Sequence, residues 1–213
     1  MTELHFTVLD IAPEPYAATP ILMARLRIEE TTGERVHAAA LRCQIRIEPQ
    51  RRGYDDVEEN LLLDIFGRRP QWSDTVRPFL WMHTSALVQG FTDSTEIDLP
   101  LPCSYDFEVS ASKYLHALRD GEIALVFLFN GTVFSRGATG FEVHQLPWEA
   151  EAAYRMPVAV WRALMDQHFP NSAWLRMGRS GFEALQQYRT AHGLLDWDET
   201  VAALLRDASE EVR

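Results

Sequence analysis

The sequence predicts an α+β fold: an antiparallel β-sandwich, immunoglobulin-like in outline, followed by a C-terminal three-helix layer. Three observations carry that expectation. Within residues 1–146, apolar and polar side chains alternate in strand-length runs at hairpin-like spacing. From Pro147 the apolar period lengthens from 2 to 3.6 residues. Between these regimes, Asn130-Gly131 separates two β-rich runs, the strongest short-range hairpin signal in the chain. A two-residue turn there puts Ile123, Leu125, Phe127, Phe129 and Phe134 on one face, with Ala124, Val126, Leu128 and Val133 on the other. A ribbon apolar on both faces needs a cover on each side. Residues 1–146 therefore read as the sandwich, and residues 147–213 as a helical layer packed on it in one structural unit.

The elements follow in order. Residues 4–9 alternate as a first strand, and Pro13, Pro15 and Pro20 hold an extended connection. Residues 21–29 place Leu22, Ala24, Leu26 and Ile28 on one face and Met23, Arg25 and Arg27 on the other. After a Thr31-Thr32-Gly33-Glu34 turn, residues 36–48 group Leu41, Cys43, Ile45 and Ile47, with Arg42, Gln44 and Arg46 opposite. A hairpin with paired numbers summing to an odd total brings the two apolar sets together. Residues 55–66 read as a helix capped by Asp55 or Asp56, striped by Leu62, Ile65 and Phe66, and stopped by Gly67. A loop over 68–78 holds Trp72, and strands follow at 78–91, 96–101 and 106–111. Residues 112–119 form a helical turn ended by Asp120-Gly121, and 140–146 one more strand. Pro157 opens a helix with Val158, Trp161, Leu164, Met165 and His168 on one stripe, closed by Pro170. Ser180 to Glu183, then Asp196 to Glu199, have capping-box spacing ahead of two further helices, the first ended by Gly193.

Composition narrows the function classes. A net charge of −11 over 213 residues argues against a nucleic-acid partner, which needs a concentrated basic face. The amino terminus lacks the basic and apolar blocks of a secretory signal, and the longest apolar run is the seven residues 123–129. A bilayer span needs about 20. A cytoplasmic protein without a membrane partner is the expectation. Cys43 and Cys103 have no CxxC partner and read as buried free thiols, with a disulfide as the alternative.

Four arginines dominate the candidate residues. Arg25, Arg27, Arg42 and Arg46, with Gln44 among them, would share the outer face of the first hairpin and grip an anionic ligand or an acidic partner segment through bidentate contacts. The plainer reading is a solvated face, or one neutralised by Asp55, Asp56, Glu58 and Glu59. A second set, Tyr114, His116 and His144, could line a pocket between sandwich and helices, where ligand sites commonly form. No two histidines have ligand spacing, so no metal site is expected. Gly178-Arg-Ser-Gly181 lacks the nucleophile-elbow register, and no catalytic residue is assigned. Of the six tryptophans, Trp161 and Trp197 fit helix cores, while Trp72 and Trp148 lie in loops beside prolines.

Three blocks, residues 112–122, residues 127–134 and the tail from Leu146-Pro-Trp148 through Trp161 to Asp196-Trp-Asp198, resemble a bacterial family that carries only a domain-of-unknown-function label. Its members are often encoded beside nickel–iron hydrogenase genes, which implies a part in maturation, assembly or electron-transfer support. The resemblance brings no catalytic residues. The chain lacks the Cys pairs of a nickel or iron–sulfur ligand set, so no cofactor is expected. The resulting expectation is a non-catalytic accessory or adaptor protein that binds a protein partner in a larger, hydrogenase-related redox assembly. A small-molecule binder or enzyme is the alternative, and a homo-oligomer formed through an exposed sheet edge is a third.

Overall fold

The computed structural model describes residues 3–103, 110–137, 140–172 and 177–211. It is an α+β protein with antiparallel sheets, and its chain divides into two compact units, Met1–Ser172 and Ala173–Arg213. In the first unit one sheet has the order β1 (Leu4–Pro13), β2 (Ile21–Glu30), β5 (Ser94–Pro102). The other runs β4 (Phe79–Phe91), β3 (Val36–Ile47), β6 (Glu122–Gly137). The far edge of β6 is shared: β8 (Glu151–Pro157) pairs with residues 122–128, and β7 (Gly140–Gln145) with residues 132–137.

Alternation places the core as expected. Leu22, Ala24, Leu26 and Ile28 of β2, and Leu41, Cys43, Ile45 and Ile47 of β3, are all buried. The Phe6 ring of one sheet stacks on Phe129 of the other at 4.2 Å, so the two apolar faces meet. Each fully buried aliphatic side chain here contributes about 1.5–3 kcal/mol.

The connection between β2 and β3 corrects the predicted hairpin. The two strands belong to different sheets, and the Thr31–Glu34 turn carries the chain across the core rather than back alongside itself. Glu30 organises the crossing: its buried carboxylate accepts from the Thr32 amide (3.0 Å), the Glu34 amide (2.9 Å) and the Thr32 hydroxyl. The Glu30 amide donates to the Asp93 carbonyl at 2.7 Å, which ties this crossing to the one that joins β4 and β5.

Asn130-Gly131 brings the larger correction. No turn forms there; β6 runs straight through as a single strand of 16 residues. Asn130 pairs with Arg42 and Gly131 with Leu41, in one unbroken register with β3 from Leu125 to Phe134. The glycine is needed for closeness, since a Cβ at position 131 would lie 2.1 Å from the Ala40 carbonyl oxygen. On the other edge the chain bulges away at residues 146–150. The Leu146 amide donates to Gly131 O (2.9 Å), and the Phe129 amide to Ala150 O (2.8 Å). With no turn, the odd-numbered face stays inward: Val133 and Ser135 are buried, and Phe134 points outward, half-buried.

Smaller corrections follow the same logic. The predicted helix over 55–66 breaks into α1 (Asp56–Leu61) and α2 (Leu63–Phe66), and the loop after it winds into α3 (Trp72–Thr75). α4 (Ser110–Ala117) takes in Ser110 and Ala111, read above as strand; residues 106–109 lie outside the described residues. Residues 151–157 form β8, so the helical period does not begin at Pro147. α5 (Val158–His168) buries Val158, Trp161, Leu164 and Met165 and packs against β1 and β8, not over the second face of β6. Residues 147–172 thus belong with the sheets, and the division expected at 146/147 falls at 172/173.

The second unit holds α6 (Arg179–Ala191) and α7 (Trp197–Glu211). Asp196 caps α7 as expected, accepting from the Glu199 amide at 2.7 Å while Glu199 accepts from the Leu195 amide at 3.0 Å. Ser180 does not cap α6; Gly178 occupies that position and Ser180 lies in the first turn. Trp197 joins the pair, with the Phe182 ring centroid at 5.4 Å and the Arg189 guanidinium 4.2 Å over its face. Among the described residues no helix is long and apolar enough to cross a membrane.

Both cysteines are free and buried, which sets aside the disulfide alternative. Burial pushes each thiol up to about 12, and burial pushes the Tyr114 phenol up to about 12 as well. An unfolded cysteine ionises near about 8.5 and a tyrosine near about 10. Above those values the unfolded chain binds fewer protons than the folded one, so stability is full below about pH 8.5 and falls as pH rises. Each thiol removes up to about 1.4 kcal/mol per pH unit in that window. Burial raises the Tyr54 phenol as well, which adds to the same slope, and Lys113 is the only lysine. The urea midpoint is expected to fall steadily from pH 8 to 11, and both thiols to resist disulfide reagents at pH 8 until the chain unfolds. A midpoint flat across that window contradicts the assignment.

Candidate functional site

The two sheets separate the arginines that the sequence groups together. Arg25 and Arg27 project from the outer face of the β1-β2-β5 sheet, opposite Asp98 and Glu96 of the neighbouring strand. Arg27 Nη2 lies 2.7 Å from Glu96 Oε1, and Arg25 Nε 3.6 Å from Asp98 Oδ1. Hydrogen bonding to Glu96 raises the pKa of Arg27 further. These two charges are answered within their own sheet.

Arg42, Gln44 and Arg46 stand on the outer face of the other sheet, on the far side of the core. Among the described residues Arg46 Nη2 reaches only Gln44 Oε1, at 3.5 Å. Three of the four acidic residues expected to neutralise this face are engaged elsewhere: Glu58 binds Arg52, Glu59 binds Arg69, and Asp55 lies 3.7 Å from Arg119. Beside Arg42 a shallow depression of about 600 Å³ crosses four strands, bordered by Ala40, Ser85, Leu87, Asn130 and Gln145. Leu87 is 76% exposed, and Trp148, at the tip of the 146–150 bulge, 88% exposed.

Tyr114, His116 and His144 do not form one pocket wall. Tyr114 is fully buried, its hydroxyl 2.8 Å from that of Tyr54 and its ring set against Phe66 and Phe79. His116 is edge-on to the Trp161 ring at 5.7 Å, and burial lowers its pKa. His144 sits on β7, where it pairs with Val133 and lies 3.4 Å from Glu142. Among the described residues no group of three or more His, Cys, Asp or Glu side chains could hold a metal ion. Trp72 is buried, in keeping with core packing, and Trp174 lies outside the described residues.

Glu58, which the sequence offers only as one of four acidic residues able to neutralise the arginine face, is instead a buried anchor. Its carboxylate is 2% exposed and accepts from Arg52 Nη2 with both oxygens at 2.9 Å, from the Arg119 amide at 2.7 Å and from the Asp55 amide at 3.4 Å. Asp55 in turn accepts from the Glu58 amide at 2.7 Å, closing a capping box. The Asp55-x-x-Glu58 spacing was the available signal, because a capping-box glutamate turns back toward the chain that precedes the helix. Here that chain carries Arg52.

A family profile described as "Family of unknown function (DUF6084)" matches residues 1–213. No curated protein matches the sequence. Among solved structures, a β-glucosidase from Kluyveromyces marxianus aligns at 8% identity and TM-score 0.25, over 73% of this chain and 15% of its own. β-Glucosidase 3B from Thermotoga neapolitana aligns at 11% and 0.27 (72% and 17%), and one from Paenibacillus barengoltzii at 15% and 0.26 (74% and 15%). The chain thus spans about a sixth of these structures' length, and likeness this weak carries no argument about activity.

Proposed function

We propose, from the premise that this chain belongs over its whole length to the DUF6084 family of unknown function, that it is a non-catalytic, cytoplasmic adaptor. Its two sheets form an immunoglobulin-like sandwich that presents the outer face of β3, β4 and β6 to an acidic segment of a partner protein. The partner belongs to a larger redox assembly of the hydrogenase-related kind that the family resemblance implies. One observation carries the reading: on a chain of net charge −11, Arg42 lies beside exposed Leu87 and, like Arg46 further along β3, meets no carboxylate among the described residues. Arginine beside an exposed aliphatic anchor is the composition of a recognition surface, since the guanidinium binds carboxylates bidentately while the anchor is desolvated.

The test is affinity purification from the native host at low salt, comparing the wild-type chain with Arg42→Glu/Arg46→Glu. Both residues are exposed, so the double variant is expected to keep the wild-type melting temperature. The wild type is expected to retain a partner that elutes as salt rises, and the variant to lose it. Equal recovery by both removes this face from consideration.

A further inference from the structure

We propose a second binding site, independent of the adaptor face, for a small organic monoanion: one carboxylate on an apolar or aromatic body. It is a cavity of about 450 Å³ between the end of β3 and the chain that leads into β4, within the range typical of ligand pockets. One wall is the 3-10 turn Pro49–Arg51 with Arg52 and Tyr54; the other is Trp72, Val76, Arg77 and Pro78.

Charge points to the ligand class. Three arginines line the cavity (Arg52, Arg69 and Arg77) and no carboxylate does. Two of them are answered from behind, Arg52 by Glu58 and Arg69 by Glu59. Arg77 has no ion pair among the described residues, which leaves the cavity one positive charge in excess.

Hydrogen bonding points the same way. The Arg52 side chain is 8% exposed. Its Nε donates to the Gly53 carbonyl (3.0 Å) and its Nη2 to Glu58, but Nη1 is buried with no hydrogen-bond partner among the described residues. A guanidinium nitrogen left unbonded at this depth costs more than most neutral groups, so the wall is short of an acceptor. The other buried polar groups of the wall are already bonded: Tyr54 donates to the Pro49 carbonyl (2.7 Å), and Trp72 Nε1 to the Gly67 carbonyl (3.0 Å). What the cavity lacks is an anionic acceptor, and only one. Pro49, Val76 and Pro78 offer apolar contact for the rest of the molecule. A carboxylate meets Arg52 Nη1, the one nitrogen of that side chain still unbonded, from inside and the free charge of Arg77 at the rim.

The experiment is an amide NMR titration of the full chain with benzoate at pH 7, ionic strength held constant with chloride. Benzamide, the same shape without the charge, is the control. Benzoate is expected to shift resonances in 49–54 and 72–78 saturably, with Kd below about 5 mM. Benzamide is expected to bind at least about tenfold more weakly. Arg77→Glu, an exposed substitution that leaves Arg52 and Glu58 in place, is expected to weaken benzoate by about tenfold or more. Shifts that do not saturate, equal binding of benzamide, or undiminished binding by the variant would each overturn the site. Because Arg42 and Arg46 are untouched, the partner assay on Arg77→Glu separates failure here from failure of the adaptor reading.

Discussion

Gly131→Ala is expected to destabilise the first unit by about 3–5 kcal/mol. Two costs combine. The new Cβ would lie 2.1 Å from the Ala40 carbonyl oxygen and 3.1 Å from Leu41 Cα, both of them backbone atoms that no rotamer change can move. Forcing the strands apart costs about 1–3 kcal/mol, as in other overpacked sites. The backbone at 131 also has φ near 154°, a region that only glycine adopts without a further cost of about 1–3 kcal/mol. For a domain of this size the sum lowers the melting temperature by about 10 °C. Gly53→Ala is the control, since a Cβ there meets nothing within 4 Å, and it is expected to stay within about 0.5 kcal/mol of wild type. The size of the effect separates two architectures. In a type I′ hairpin turn the same substitution loses only the preference for positive φ, about 1–2 kcal/mol. A loss of only about 1–2 kcal/mol for Gly131→Ala, relative to Gly53→Ala, would return Asn130-Gly131 to the role of a turn.

That pair of residues also shows where the sequence was legible and where it was not. Alternation identifies which side chains face the core, and it did so correctly for β2, β3 and most of β6. It cannot say which sheet a strand joins. Leu22 to Ile28 and Leu41 to Ile47 bury their apolar sets equally well side by side in one sheet or facing each other across a core, and the chain uses the second arrangement. The grouping of Arg25 and Arg27 with Arg42 and Arg46 failed for that reason alone. At Asn130-Gly131 a local turn preference worth about 1 kcal/mol met a ladder of backbone bonds to β3, and the ladder won. Parity held the clue: Ile123, Leu125, Phe127, Phe129, Val133 and Ser135 keep one phase straight through the glycine, which a two-residue turn would have broken. β8 was missed because Glu151 to Pro157 is short and Ala-rich, with little β-branching to mark it as a strand. Its partner, the apolar first half of β6, supplies the missing preference.

Glu58→Ala is expected to cost about 3–5 kcal/mol, because it leaves the buried Arg52 guanidinium without its counter-ion. The loss reaches beyond one pair. Glu58 joins the chain before α1, the first turn of α1 and the Arg119 amide just past α4, so its removal uncouples three segments at once. Arg52 also lies over the Tyr54 ring at 4.9 Å, and Tyr54 bonds to Tyr114 inside a cluster that includes Phe66, Trp72 and Phe79. An unpaired guanidinium pulled toward water would drag on that cluster. Arg52→Met should therefore cost about as much alone, through the stranded carboxylate, whereas Arg52→Met/Glu58→Leu should recover much of the loss by replacing a buried ion pair with apolar contact. A double-mutant cycle on urea midpoints is expected to return a coupling energy above about 1.5 kcal/mol. Additive single effects would mean that the two side chains act separately. The cavity beside them would then owe its arginine to packing, and Arg52 Nη1 would have no reason to await an acceptor.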